Sequence, residues 1–139
     1  SSRSIRPWEL IVVQNKDTLQ KMSESRVGSA KMLANASVAI VVIADAEKSD
    51  VWTEDCSIVM SNMHLMADSL GLGSCWIQGR LRETSDGQST EEYLRDILGY
   101  PEKMHLEAVL SLGIPAVHPE GHSLDEIPEN KVHYEKYEN

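Results

Sequence analysis

The first eight residues, SSRSIRPW, concentrate side chains that could bind an anion. Arg3 and Arg6 are permanently charged, and their guanidinium groups donate charge-assisted hydrogen bonds to a phosphate or a polarised carbonyl. Three serine hydroxyl groups lie among them, and Pro7 fixes the backbone just before an indole ring. The segment predicts a small polar ligand site, although a polar terminus that binds nothing explains the same composition equally well.

A second candidate site lies at the end of the run CWIQG. Cys75, Trp76 and Ile77 form a short apolar run that predicts a strand, so Gln78 and Gly79 stand at its open end. A polar, glycine-bounded strand end is a common place for backbone groups to meet a ligand. The pattern also suits a core strand without a ligand, and the residues alone do not separate the two interpretations.

Other chemistries find little support in the residue spacing. Gly71 and Gly73 follow a predicted helix and precede a strand, the reverse of the order in a dinucleotide-binding fingerprint, and no P-loop occurs. His118 and His122 are separated by a proline and a glycine, so they do not share a helix face as a metal-binding pair would. There is no GxSxG sequence. We therefore predict no metal site and no catalytic amino-acid nucleophile.

Composition predicts a soluble globular domain. Of the 139 residues, 41% are hydrophobic and 25% are charged, and the formal net charge is −9. Such an acidic chain argues against nucleic acid or an anionic membrane as a partner, and no run is apolar enough to cross a bilayer. Cys56 and Cys75 lie in apolar segments without CxxC spacing, which predicts free thiols in a reducing, cytoplasmic compartment.

The helix that must position the second candidate site spans residues 51–70. Apolar side chains recur there at spacings of three and four and occupy nearly every face, which predicts a buried helix. Gly71 would end it, because glycine readily adopts the left-handed conformation that closes a helix.

The remaining elements alternate between strands and helices. A further helix is predicted to begin at Thr90, and apolar runs predict strands at 8–13, 38–44, 75–77 and 106–112. This alternation predicts an α+β or α/β sandwich in a single domain, 1–139. Residues 116–139 carry three prolines and many charges, so we expect an extended C-terminal arm.

Four segments, in order, resemble the FMN-dependent nitroreductase family. The run SSRSIRPWELIVV resembles the family's serine-rich loop, its Gln/Arg-Pro-Trp sequence and its first strand. The run ASVAIVVIAD resembles the second core strand, and DCSIVMSNMHLMADSLGLGSCWIQG resembles the dimer-interface helix, glycine turn and flavin-edge strand. ENKVHYEKY resembles the C-terminal arm on the phosphate side. The similarity spans nearly the whole chain, and its helix–turn–strand segment is the most specific part.

The resemblance implies an α+β fold, a three-layer sandwich whose central mixed sheet is flanked by helices, in an intertwined homodimer. Two FMN molecules would bind at the subunit interface. NADH or NADPH would be the reductant, and a nitroaromatic, a quinone or another small molecule would accept the electrons. The flavin would supply the chemistry, and the protein would orient and tune its ring. The apolar helix would pack against its symmetry mate, so we expect the monomer to be unstable alone.

The resemblance also assigns flavin contacts to this chain by position. The opening loop would line the flavin from the partner subunit with Ser1, Ser2, Ser4, Arg3 and Arg6. The strand end would face the isoalloxazine ring near N5, where backbone N–H groups and the Gln78 amide could donate hydrogen bonds, through Trp76, Ile77, Gln78 and Gly79. Lys131 would lie on the FMN phosphate, and Lys31 is a weaker candidate for the pyrimidine side of the ring.

Two departures from the family pattern keep other functions open. Ser4 stands where the family usually has asparagine, and the family's amino-terminal helix, with its Arg-Arg-Ser-x-Arg phosphate motif, is absent from this sequence. Both departures would fit a flavin-binding module without turnover, for sensing or storage. Specialised flavin chemistry such as reductive dehalogenation or flavin fragmentation is a third hypothesis, although the loop at 80–89 is short for the added lid of such relatives.

Overall fold

This computed structural model describes residues 1–137, which contain one four-stranded sheet and three α-helices. The strands are β1 (Trp8–Val13), β2 (Val38–Asp45), β3 (Gly73–Gln78) and β4 (Met104–Gly113). The helices are α1 (Lys16–Met22), α2 (Trp52–Ser69) and α3 (Thr90–Leu98). All four predicted strands and the two long predicted helices are therefore present. The last two residues of the predicted arm lie outside the described range.

The sheet is antiparallel throughout the described chain. The strand order is β1-β2-β4-β3, and each neighbouring pair is antiparallel. The expectation of a mixed sheet is therefore wrong for these residues. β2 and β3 do run parallel to each other, as a strand–helix–strand unit allows, but β4 lies between them and pairs with both.

Helices cover both faces of the sheet, which confirms the three-layer α+β sandwich. Because side chains alternate along a strand, each face builds its own apolar core. The core under α1 and α3 includes Leu19, Val41, Leu94, Leu106 and Val109. The core under α2 includes Val42, Cys56, Met60, Ala108 and Leu110.

Local sequence fixes the ends of the helices. The Ser89 hydroxyl accepts a hydrogen bond from the Glu92 N–H and begins α3, while Gly99, at a φ of +74°, ends it. Gly71 follows α2 at a φ of +72°, and its N–H donates to the Asp68 carbonyl. The predicted glycine stop of the central helix is thus confirmed.

The central helix is less buried than its sequence predicts. The residues that α2 buries are Asp55, Cys56, Met60 and Ala67. The apolar residues on or next to it that stay at least 60% exposed are Ile58, Leu65, Met66 and Leu70. Apolar side chains surround this helix, whereas the sheet covers only one side of it. The prediction of a buried helix is therefore wrong for the single chain, which presents an uncovered apolar face.

Beyond β4 the chain continues as an exposed arm. Every described residue from 116 onward is exposed, and short 3₁₀ turns occur at Leu124–Glu126 and Glu129–Lys131. Two of its apolar side chains, Leu124 and Tyr134, are among the most exposed in the described chain. Within the described part of the chain, no helix is long and apolar enough to cross a membrane.

Candidate functional site

The amino-terminal segment and the chain just after β3 both contact the first turn of α2, at the end of the sheet where β1 begins and β3 ends. The Ser2 backbone N–H donates to Asp55 Oδ1 at 3.0 Å. On the same turn, the Arg80 guanidinium lies 5.8 Å from the centre of the Trp52 ring. The fold therefore brings both candidate segments to the same end of the sheet.

The amino-terminal segment has an unusual backbone. Arg3, Ser4 and Arg6 have φ values of +52°, +55° and +52°, a region that non-glycine residues rarely adopt and that stores strain, often at functional sites. The Ser1 hydroxyl accepts from the Arg6 N–H at 2.9 Å, which holds this bend. All five predicted loop residues are exposed to solvent, and Ile5, which lies among them, is half-buried.

The two arginines of this segment differ in their partners. Arg3 pairs with Asp50 at 2.9 Å, but both side chains are mostly exposed, so the pair contributes little stability. Arg6 is exposed and takes part in no ion pair among the described residues. Its guanidinium is therefore available to an anion.

Side chains at the strand end are bonded to one another. The Trp76 indole N–H donates to Gln78 Oε1 at 2.9 Å, and Gln78 Nε2 donates to the Arg80 carbonyl at 3.1 Å. Trp76 and Gln78 are half-buried, whereas Ile77 is 2% exposed and belongs to the sheet core. A ligand here would meet Trp76 and Gln78, and Ile77 would support them from behind.

Gly79 is buried where the chain turns away from the sheet. Its N–H and that of Arg80 both donate to the Glu107 carbonyl, at 3.2 and 2.9 Å. A Cβ atom on Gly79 would lie 2.4 Å from Leu106 Cδ2, inside the van der Waals distance. The position therefore requires glycine, and its backbone donor is bonded within the chain.

The two predicted lysines form no hydrogen bond or ion pair with the described residues at this end of the sheet. Lys31 Nζ lies 2.6 Å from Glu24 Oε2, in an exposed ion pair. Lys131 ends an exposed 3₁₀ turn of the arm, and in the part of the chain described no hydrogen bond or ion pair joins it to the other predicted site residues. The single chain thus brings the opening loop and the strand end together but leaves Lys131 outside.

Glu107 is a residue of this site that the sequence interpretation missed. Val42 pairs with Ala108 and Ile43 with Leu106, so Glu107 is the extra residue of a β-bulge in β4. Its side chain is 5% exposed; Ser57 Oγ donates to Oε1 at 3.2 Å, and Oε2 is buried without a partner. A lone acid inside the apolar run LEAVLSL was the available signal.

Burial raises the pKa of the Glu107 carboxyl, although the Ser57 hydrogen bond and the Arg80 charge act in the opposite direction. The same surroundings act on Cys56. Burial, with the nearby charges of Glu107 and Asp55, raises the pKa of the Cys56 thiol to about 12. Cys56 is therefore a neutral thiol at pH 7, and a weak nucleophile.

The variant E107Q is expected to be more stable than the wild type at pH 8. When the pKa of a carboxyl is raised in the folded state, its contribution to the free energy of unfolding is greatest below its unfolded pKa. That contribution is lost as pH rises through the folded pKa, so the wild type loses stability at high pH. Glutamine keeps the shape and carries no charge to bury. We expect a gain of about 1 kcal/mol, roughly 3 °C in Tm, at pH 8 and none at pH 4. Thermal unfolding at pH 4, 6 and 8 measures this.

The exposed Glu102 provides the matched control, since E102Q removes the same charge from the surface. Its Tm should follow that of the wild type at each pH. An E107Q protein less stable than the wild type at pH 8 would show that the buried carboxylate is a favourable feature of the fold.

Two cavities open beside the strand end. One, of about 620 Å³, lies between residues 26–27 and the loop at 81–89, and Arg26 and Arg82 line it. The other, of about 300 Å³, lies against the Trp52 and His105 rings, whose centres are 6.0 Å apart. Both are large enough for part of a small organic molecule, and arginines border both.

Similarity to solved structures defines the class of protein. The chain superimposes with a TM-score of 0.95 on an FMN-dependent nitroreductase from Clostridium difficile R20291; the two are 41% identical, over 99% of this chain and 80% of that one. A structure from Bacteroides thetaiotaomicron VPI-5482, named as a NADH dehydrogenase/NAD(P)H nitroreductase, gives a TM-score of 0.87 and 32% identity, over 99% and 77% of the two chains. These similarities assign the chain to the class of oxidoreductases that fold as α+β sandwiches.

The sequence comparisons define the family. Residues 21–114 match the nitroreductase family. The chain is also 37% identical over 142 residues to an Archaeoglobus fulgidus protein named as a NADH dehydrogenase/NAD(P)H nitroreductase, covering 99% of this chain and 78% of that protein. The chain belongs to the nitroreductase family, a family of oxidoreductases, as its four resembling segments predicted.

Proposed function

We propose that this protein is an FMN-dependent oxidoreductase that takes electrons from NADH or NADPH and passes them to a small acceptor, such as a nitroaromatic or a quinone. Family membership supports the reaction class. The observation that carries the proposal is that the strained opening loop and the chain just after the Trp76–Gln78 strand end both contact the first turn of α2, at one end of the sheet.

The residues of the opening loop, the strand end and the arm fit the chemistry of FMN. A phosphate needs cationic donors, and Arg6 and Lys131 are exposed cations that form no ion pair in the described chain. A planar heterocycle needs an apolar surface with polar groups at its rim, which the half-buried Trp76 and Gln78 side chains offer. These residues would hold the cofactor, with Lys131 and the opening loop contributed across a subunit interface.

FMN, when bound, accepts and donates the electrons, and the residues of the chain orient it. The Glu107 carbonyl fixes the Gly79–Arg80 turn through two N–H groups, so the strand end does not shift. The hydrogen-bonded series from Trp76 through Gln78 to the Arg80 carbonyl sets the rotamers of the groups that would meet the ring. Water is excluded from behind the site by the buried Ile77.

We propose a homodimer formed through the exposed apolar face of α2, in one domain whose arm reaches the second copy. The exposed Leu65, Met66 and Leu70 support this, because a contiguous apolar face on a single chain marks an interaction surface. A cytoplasmic location is supported by Cys56 and Cys75, which are free thiols.

An absorption spectrum of the purified protein, followed by anaerobic addition of NADH, tests the proposed function. We expect a flavin spectrum that bleaches with NADH or NADPH and recovers when a nitroaromatic or a quinone is added. A bound flavin that neither reductant bleaches would favour the module without turnover. A colourless protein that takes up no FMN would contradict the proposal.

The variant K131A is expected to weaken FMN binding about tenfold, because the loss of one charge-assisted hydrogen bond to phosphate removes about 1.5 kcal/mol. Fluorescence titration of FMN measures the Kd. K136A, which removes another exposed lysine from the same arm, should bind FMN as the wild type does. Equal affinities for all three proteins would exclude Lys131 from the phosphate site.

A further inference from the structure

The opening loop, residues 1–6, is bent by hydrogen bonds within itself. The Ser4 and Ile5 N–H groups donate to the Ser1 and Ser2 carbonyls, each at 3.2 Å, and the Arg6 N–H donates to the Ser1 hydroxyl. These local bonds shape the loop, but they do not join it to the sheet or to a helix. The orientation of the loop on the fold therefore depends on contacts with other elements.

Asp55, on the first turn of α2, provides such a contact. Its Oδ1 atom accepts a hydrogen bond from the Ser2 N–H at 3.0 Å, across 53 residues of sequence. The residue is 4% exposed, so water competes little for this bond. A hydrogen bond to a carboxylate is also stronger than one between neutral groups. The loop is thus attached near its start to an 18-residue helix.

A second contact joins the loop to the chain just before α2, and it is weaker. Arg3 Nη2 lies 2.9 Å from Asp50 Oδ1, but the two side chains are 66% and 82% exposed. Water screens such a pair, and both side chains lose conformational freedom in forming it, so it contributes little. Of these two contacts, the one with Asp55 is the stronger anchor.

The loop needs an anchor because its backbone is strained. Arg3, Ser4 and Arg6 all have φ values between +52° and +55°. Residues other than glycine are disfavoured there, and such conformations persist only where the surrounding structure enforces them. Without the Asp55 contact, the loop would relax towards ordinary backbone conformations. The Arg6 guanidinium and the serine hydroxyl groups would then lose their fixed positions.

The burial of Asp55 is partly unfavourable for the fold. Its Oδ2 atom is buried and accepts no hydrogen bond from the described residues. Such unsatisfied buried atoms are destabilising and few in natural proteins. The first turn of α2 offsets part of this cost, since the amino-terminal end of a helix favours a negative charge. A buried carboxylate with an unsatisfied oxygen fits a role in function better than a role in stability alone.

We propose that Asp55 is a positioning residue, which holds the opening loop in the shape that presents Arg6 and the serine hydroxyl groups to FMN. This rests on the proposed function. Asp55 would not touch the cofactor, because it acts through the Ser2 N–H. A loop that is formed before the ligand arrives binds more tightly, since binding then does not have to order it.

The variants D55A, D55L and D55N test this, with D50N as the control. D55A and D55L remove the acceptor, and D55L also fills the buried space. We expect both to raise the FMN Kd about tenfold, and to speed amide-proton exchange of residues 4–6, followed by NMR without flavin, about tenfold as well. D55N keeps an oxygen acceptor and should restore much of both values. D50N removes the same charge from the exposed contact and should resemble the wild type.

Thermal unfolding establishes which variants are folded. Wild-type exchange of residues 4–6, or a wild-type FMN Kd, in folded D55A or D55L overturns the assignment. Faster exchange throughout α2 and the sheet, without an excess in the loop, overturns it in favour of a role in stability alone. A wild-type chain that binds no FMN contradicts the proposed function and the cofactor role with it. The exchange rates, measured without flavin, still decide whether Asp55 holds the loop.

Discussion

The variant G79A is expected to lose roughly 2 kcal/mol of folding free energy, the typical effect of overpacking a core, and to bind FMN at least tenfold more weakly. A Cβ at this position would lie 2.4 Å from Leu106 Cδ2 and 2.8 Å from its Cγ. Leu106 is fully buried, so it cannot swing into solvent to make room. The strand end must then move away from β4, and the N–H groups of residues 79 and 80 no longer donate hydrogen bonds to the Glu107 carbonyl.

Urea denaturation and FMN titration measure the two effects separately. G121A is the matched control, because a Cβ there would contact nothing within 4 Å. The double variant G79A/L106A provides a second check: removing the obstructing side chain should make the combined destabilisation smaller than the sum of the single ones. A G79A protein with wild-type stability and affinity would show that the turn tolerates displacement.

Placing a charge on the exposed face of α2 is expected to separate the proposed dimer without unfolding the chain. Leu65 and Met66 are 66% and 60% exposed in the single chain, so L65D and M66D should leave the sheet core intact. In a dimer the same carboxylate would be buried without a partner, which is unfavourable by about 3 kcal/mol or more. The dimer Kd should therefore rise at least a hundredfold, and bound flavin should be lost with the second subunit.

Sedimentation velocity across micromolar concentrations measures the association, and circular dichroism checks the fold. Q20E adds one negative charge to an exposed position on α1, across the sheet from α2, and should remain dimeric. If the wild type sediments as a folded monomer, or if both charged variants remain dimers, α2 is not the interface.

The strands and the end of the central helix could be predicted because their determinants are local. Apolar β-branched runs specify β1 and β2, and Gly71 ends the central helix whatever the surrounding structure. The position of Gly79 at a polar strand end could also be read from the sequence. The contact with Leu106 that excludes a side chain there could not.

Other features depended on contacts that sequence periodicity does not encode. The antiparallel sheet follows from the position of β4 between β2 and β3, which is a choice of long-range pairing. The sequence could not show that one apolar face of α2 is exposed in the single chain, because the spacing of apolar residues does not indicate which elements cover a helix. Arg26 lies in a polar loop. The position of that loop depends on long-range hydrogen bonds of the neighbouring residues with Glu83 and Thr90.

The position of β4 also has a consequence for synthesis of the chain. β4 is a central strand of the sheet, yet it is the last of the described strands in sequence, and both β2 and β3 pair with it. Until residue 113 leaves the ribosome, β3 has no neighbour in the sheet and β2 has only β1. Such late, long-range closure slows folding and exposes aggregation-prone surface in the nascent chain. The sheet can therefore close only after the last of the described strands has been made.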